Sequence, residues 1–256
     1  KESFEIIIVD GGSNDGLDKV IEEYKSLFNI IWINTYSESW ENPVRPRNIA
    51  YKMAAGKYSI MLDADYLPGE NLLEEFGKSL SDDYFDICYG YAVDSSKGIA
   101  WGEEIFDKEI QLYKDKSPIP IYQLPIHTMG RALMIPLSGP MPEWLFCVKT
   151  ETMLKIGGYD EDYLGYYSSE DTDIFRRLKV VCPRQIYNPD AICIHIYHKN
   201  AGPTGTRDAT RNKELLRIKS EGLPFNVIRN INTEWGNLRN GEIVYSYRDI
   251  KGLCKM

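Results

Sequence analysis

Apolar and polar positions alternate along the first third of the chain in a regular order. Phe4 to Val9 is a β-rich apolar run that ends in the acidic, glycine-rich stretch Asp10-Gly11-Gly12-Ser13-Asn14-Asp15-Gly16. This is the pattern of a buried strand running into a turn. Val20, Ile21, Tyr24 and Leu27 follow at helical spacing, and Ile30 to Ile33 is a second short strand. Arg47 to Ala55 reads as a helix stopped by Gly56. A third strand, Ile60-Met61-Leu62, climbs to Asp63 and Asp65 and is followed by the Pro68-Gly69 turn and a helix over Leu72 to Leu80. The order β-α-β-α-β-α predicts an α/β fold with a mostly parallel sheet and helices on both faces.

The second half is less regular. Residues 86–93 form a strand candidate, and residues 94–125 mix charges with Pro118, Pro120 and Pro125, which predicts an irregular excursion carrying one helix. Residues 136–142 are a proline-rich loop. Leu145 to Val148 and Ala191 to Ile196 are predicted strands; Thr150 to Ile156, a segment opening at Glu170 and Lys213 to Glu221 are predicted helices. The expected organisation is one domain over residues 1–221, with residues 222–256 as a peripheral appendage packed on it.

Composition narrows the function classes. The 256 residues are 43% hydrophobic and 27% charged, which is globular. The net charge of −8 argues against a nucleic-acid binder working through a broad basic surface. Five cysteines show no metal-ligand spacing, so free, mostly buried thiols in a reducing compartment are expected. No apolar stretch approaches membrane-spanning length. The expected location is cytoplasmic, alone or at the periphery of a membrane.

The candidate chemistry sits at the predicted strand ends. Asp63 and Asp65, two apart on an extended segment, point the same way and repel unless a cation lies near them. Mg²⁺ or Mn²⁺ matches their hard oxygen chemistry. Arg45 and Arg47 precede the strand that ends at Asp63, and Arg47 opens a helix whose N-terminus disfavours cations, which favours a bound anion at Arg47. Glu170 and Asp171 are acids in a first helical turn, where the dipole suits them with or without a catalytic task.

Five stretches in order resemble a family 2 glycosyltransferase of the GT-A fold. They are Val9 to Gly16; Arg47-Asn48; Leu62-Asp63-Ala64-Asp65; Ile156-Gly157-Gly158-Tyr159-Asp160-Glu161; and Glu170-Asp171 followed by Arg176-Arg177-Leu178. The resemblance implies an inverting, metal-dependent transfer of a sugar from a nucleotide-diphosphate donor, most simply a UDP-sugar, to a hydroxyl of a carbohydrate acceptor. It implies donor binding by Asp10, Arg45, Arg47, Asp63 and Asp65, with Asp10 accepting a hydrogen bond from the base. Asp65 would coordinate Mn²⁺ or Mg²⁺, and Asp63 would hold the ribose or a metal-bound water. Asp171 would be the general base, with Glu170 orienting it or the acceptor. His195 or His198 would complete the metal site, and spacing does not choose between them. Trp144 and Trp101 are candidates for stacking on the acceptor. The family opens with one more strand and helix than the three residues before Phe4 allow, so that strand is expected to be lost, supplied by an upstream segment or a partner, or replaced by another segment. Two other function classes stay open: a non-catalytic or truncated module that binds a nucleotide-sugar or a partner on the same fold, and a nucleotidyltransferase.

Overall fold

The computed structural model describes residues 4–36, 43–94, 145–165, 169–195, 210–221 and 226–247, with only the backbone for residues 91–94, Pro189, Ile194 and His195. The excursion over 95–125, the 136–142 loop and most of the segment from His198 to Arg211 lie outside the described residues. The described residues divide between two compact units, with boundaries after Ser59, Val148, Val181 and Thr206.

Unit 1 is built on a three-stranded sheet. Strand β1 (Glu5–Asp10) lies parallel to β2 (Asn29–Asn34), joined by helix α1 (Leu17–Tyr24), and the register puts Asp10 opposite Asn34. Strand β8 (Ile243–Tyr247) adds to β2 antiparallel. Alternate side chains turn to one face: Ile7 and Val9, Ile31 and Ile33, and Val244 meet Ile49 and Met53 of helix α2 (Val44–Met53). Of these, Ile31, Ile33 and Ile49 are fully buried, which contributes roughly 1.5–3 kcal/mol apiece. On the other face Trp32 stacks on its cross-strand partner Tyr245 at 4.9 Å. Pro46 is tolerated in the first turn of α2, where a backbone N–H has no intrahelical partner.

Unit 2 holds a five-stranded sheet in the order β3-β6-β5-β7-β4. Its strands are β3 (Tyr58–Met61), β4 (Tyr66–Pro68), β5 (Ile87–Asp94), β6 (Phe146–Lys149) and β7 (Gln185–His195). Strands β5 and β7 run parallel with a bulge at Gly90, while β5–β6 and β4–β7 are antiparallel. Gly90 is dictated by close approach: a Cβ there would meet the Ala191 carbonyl oxygen at 2.5 Å and Leu145 at 2.6 Å. Helix α3 (Leu72–Leu80) packs on the sheet through Leu72, Phe76 and Leu80, its buried stripe. Cys88, Cys147, Cys182 and Cys193 are free and buried. β1 and β3 each stand at the end of their sheet's strand order.

The remaining helices of unit 1 are α4 (Thr150–Lys155), α5 (Glu170–Val181) and α6 (Thr210–Ser220). They are joined through charge. Arg177, fully buried, gives Nε to Asp173 at 2.7 Å and its two other nitrogens to the carbonyls of Ile156 and Gly158. Arg229, from the stretch before β8, bonds the other oxygen of Asp173 at 2.8 Å and lies 3.1 Å from Asp160. Lys219 of α6 also pairs with Asp160. Two buried acids are thus shared among three cations. Burial pulls the Arg177 guanidinium below its usual range and Asp173 opposes the shift.

The Gly157–Glu161 turn is held from both sides by amides. Asn48, with no exposed surface, takes the Tyr159 N–H on its oxygen at 2.7 Å and donates to the Tyr159 carbonyl and the Glu161 carboxylate. Asn230 donates to the Gly157 and Tyr159 carbonyls and accepts from Glu161 N–H. Gly158 has φ +63°, and a Cβ would lie 2.3 Å from Asn48 Oδ1. Residues 226–247 therefore take part in the sheet, the ion network and the turn of unit 1.

Two outcomes follow from this chemistry. Asp173→Asn leaves Arg177 buried without its anion and is expected to cost about 3–5 kcal/mol, read as a lower urea midpoint at unchanged m. Asn48→Asp keeps the acceptor for Tyr159 N–H but sets a buried carboxylate against Glu161. It should cost at least about 2 kcal/mol by the same measurement, the range for leaving buried polar groups unpaired.

Candidate active site

Asp10 closes β1 and is 5% exposed. Its Oδ1 accepts from Gly12 N–H (3.1 Å), Ser13 N–H (2.9 Å) and the Ser13 hydroxyl (2.7 Å), and its carbonyl is held by Thr35. These bonds are the turn chemistry that the Asp-Gly-Gly-Ser sequence suggests. Oδ2 is buried and has no hydrogen-bond partner among the described residues. A buried acceptor left unmatched is costly, and a ligand donor is one means of matching it.

The first turn of α2 carries Arg45 and Arg47, both mostly buried. Protein acids meet both. Arg45 bonds Glu242 at 2.7 Å and the Asn237 carbonyl at 2.8 Å. Burial alone would raise the Glu242 carboxyl, but the Arg45 bond, the Arg239 N–H and both guanidinium charges bring it below the ordinary carboxylate value. Arg47 donates Nη1 to Asp171 Oδ1 at 2.8 Å, and its guanidinium lies 5.1 Å over the Tyr159 ring. The unfavourable placing of cations at a helix N-terminus is thus balanced within the protein, whereas the sequence favoured a bound anion at Arg47.

Glu170 and Asp171 open α5, as expected, but their surroundings differ. Glu170 is 2% exposed, while the Asp171 side chain keeps 17% of its surface open. Of the two, Asp171 is the more exposed acid. The residue before them, Ser169, holds φ +75°. A non-glycine residue there stores strain of order 1–3 kcal/mol, which tends to gather at functional sites.

In unit 2, Asp63 and Asp65 follow β3 in a turn closed by Tyr66 N–H on the Asp63 carbonyl (3.1 Å). Both are half-buried. Burial raises the Cys193 thiol, and the charges of Asp63 and Asp65 raise it further, so both carboxylates act on that spot. Strand β4 continues from the turn and pairs antiparallel with β7, setting Tyr66 opposite His195 and Pro68 opposite Cys193. The turn and the backbone of His195 are therefore neighbours. No group of three potential metal ligands gathers among the described residues, which include the two carboxylates but not the His195 side chain. The pair of hard oxygen ligands at a strand end fits Mg²⁺ or Mn²⁺, which take few protein carboxylates and fill the rest of their shell with phosphate and water. Trp101, Trp144 and His198 lie outside the described residues.

Sequence reasoning placed Asn48 and Arg177 in motifs without their buried hydrogen-bonding roles, and missed Arg229 altogether. The Asp173–Arg177 spacing of four on one helix was a usable signal; nothing marked Asn48 as the partner of the Gly157–Glu161 turn.

Comparison with known proteins adds kinship. A family model described as "Glycosyl transferase family 2" matches residues 1–134. Poly(ribitol-phosphate) beta-N-acetylglucosaminyltransferase TarS of Staphylococcus aureus is 25% identical over 87 residues, 34% of this chain and 15% of that protein. A poly(ribitol-phosphate) beta-glucosyltransferase of Bacillus spizizenii is 33% identical over 91 residues, 35% of this chain and 14% of that protein. The matched stretches thus span about a seventh of these curated relatives. Among solved structures, residues 1–349 of S. aureus TarS in complex with UDP-GlcNAc align with TM-score 0.57 at 16% identity, covering 84% of this chain and 57% of that one. GalNAc-T7 with UDP, GalNAc and Mn²⁺ aligns with TM-score 0.52 at 18% identity, covering 84% of this chain and 41% of that one. With more than half of its length matched by the family model and this fold shared with known transferases, the chain belongs to glycosyl transferase family 2 and has the GT-A fold.

Proposed function

We propose that this chain binds a nucleotide-diphosphate sugar, a UDP-sugar first of all, and transfers the sugar with inversion to a hydroxyl of a carbohydrate acceptor. The observation that carries the proposal is Asp10, one oxygen locked by its own turn and the other buried and unmatched. The N–H of a pyrimidine ring is a donor of the right kind for Oδ2. The UDP and UDP-GlcNAc bound in the related structures support the choice of nucleotide.

Asp171 is the proposed base. It takes the proton of the acceptor hydroxyl as that oxygen attacks the anomeric carbon, and the bond from that carbon to the diphosphate oxygen breaks with its electron pair leaving on the nucleotide. Its partial exposure beside the buried Glu170 supports this assignment. Asp65 and Asp63 would hold the divalent cation, whose chemistry is to neutralise the departing diphosphate. The register of His195 against Tyr66 supports His195 as a further ligand, while His198 rests on its place in the sequence alone. The Mn²⁺ in the GalNAc-T7 structure supports metal use. Arg45, tied to Glu242, anchors the segment before β8 in this account instead of contacting the donor.

The base assignment is tested by Asp171→Asn. Asn is nearly isosteric with Asp and cannot take a proton at neutral pH. We expect an unchanged Kd for UDP and a fall in kcat of about 10²–10⁴; near-wild-type turnover would contradict it and move the role to Glu170. Asp65→Ala tests the cation. Titration of UDP with and without Mn²⁺ should show a difference in affinity for the wild type and none for the variant.

A further inference from the structure

Arg47 and Asn48 are consecutive on α2, and each grips a different motif of unit 1. Asn48 fixes both backbone groups of Tyr159. The Tyr159 ring, 2% exposed and stacked on Tyr51 at 6.4 Å, lies beneath the Arg47 guanidinium. Arg47 then reaches Asp171 at 2.8 Å, with side-chain exposures of 8% and 17%. An arginine held 5.1 Å over an aromatic ring and bonded to a carboxylate is doubly committed. Turning it toward a phosphate would strip a largely buried acid of its cation and break the ring contact, and the exchange gains little because one anion merely replaces another.

We propose that Arg47 is the positioning residue of Asp171, and not a ligand of the donor's diphosphate. This rests on the assignment of Asp171 as the base. The ion pair with Arg47, itself held over the Tyr159 ring, fixes where that carboxylate points. With Arg47 engaged by Asp171 and Arg45 by Glu242, neither cation of the α2 first turn serves the diphosphate. Affinity for a nucleotide diphosphate then depends on the cation held by Asp63 and Asp65 and not on Arg47.

The test uses Arg47→Gln, Arg47→Lys, Asp171→Asn and the Arg47→Gln/Asp171→Asn double variant. UDP with Mn²⁺ is titrated calorimetrically, and turnover is followed as UDP released from UDP-N-acetylglucosamine. We expect Arg47→Gln to leave Kd within about threefold and to lower kcat about 100-fold or more, part of the general-base contribution. Lys should recover some of that loss through its charge, and the double variant should be no slower than Asp171→Asn, as for residues acting through one group. A Kd weakened more than about tenfold with turnover kept at saturation would overturn the inference, as would losses that multiply in the double variant. Should Arg47→Gln fail to fold, Arg47→Lys decides by the same split between Kd and kcat. Full turnover in Asp171→Asn, or no binding of UDP by the wild type, would refute the functional assignment itself. Loss in Asp171→Asn with full turnover in Arg47→Gln would refute only the role of Arg47.

Discussion

Asp160 and Asp173 are acids with almost no surface, and unit 1 is assembled so that each keeps its cations. Arg177 comes from the same helix as Asp173, Arg229 from the stretch before β8 and Lys219 from α6. Removing either acid leaves buried guanidinium charge without its carboxylate, a far larger penalty than the loss of an exposed pair such as Lys78–Glu74. The network therefore ties sequence-distant segments to one turn, Gly157–Glu161. A purely apolar core could hold these segments near each other with equal strength. It would not fix their directions as hydrogen-bonded charges do.

That turn is also where the proposed chemistry is framed. Gly157 and Gly158 have no room for side chains because Arg229 and Asn48 press against their backbones. The turn in turn presents the Tyr159 ring, the ring supports Arg47 and Arg47 meets Asp171. Motifs far apart in sequence contact one another directly in unit 1: Arg47-Asn48, Gly157 to Glu161 and Glu170-Asp171. Those contacts give the three motifs a shared structural task before any ligand is considered.

Much of the fold was legible in the chain. The strands ending at Asp10 and before Asp63, and helices α2, α3 and α5, follow from apolar spacing and end signals. The start of α2 came earlier than expected because Pro46 reads as a breaker, though it is harmless in a first turn. β4 escaped notice because it is three residues long and ends in proline at a sheet edge. β8 had a signal, Ile243-Val-Tyr-Ser-Tyr247 after Asn240-Gly241, which was not read as a strand. The candidate site was legible as a set of acids and less so as an arrangement. Periodicity marks apolar residues as buried, and it has no means of showing that Arg177, Asn48 and Arg229 are inside, since their burial depends on partners supplied by tertiary contacts.

If the buried polar framework holds the site, its backbone opens only when unit 1 unfolds. Native-state hydrogen exchange measures this directly, at the amides of Tyr159, Arg229 and Asp173, which are bound to Asn48 Oδ1, the Ile156 carbonyl and the Ser169 carbonyl. The account predicts that all three exchange with the free energy and denaturant dependence of global unfolding. Exchange of these amides by local fluctuation, at a free energy well below global unfolding and insensitive to denaturant, would contradict it.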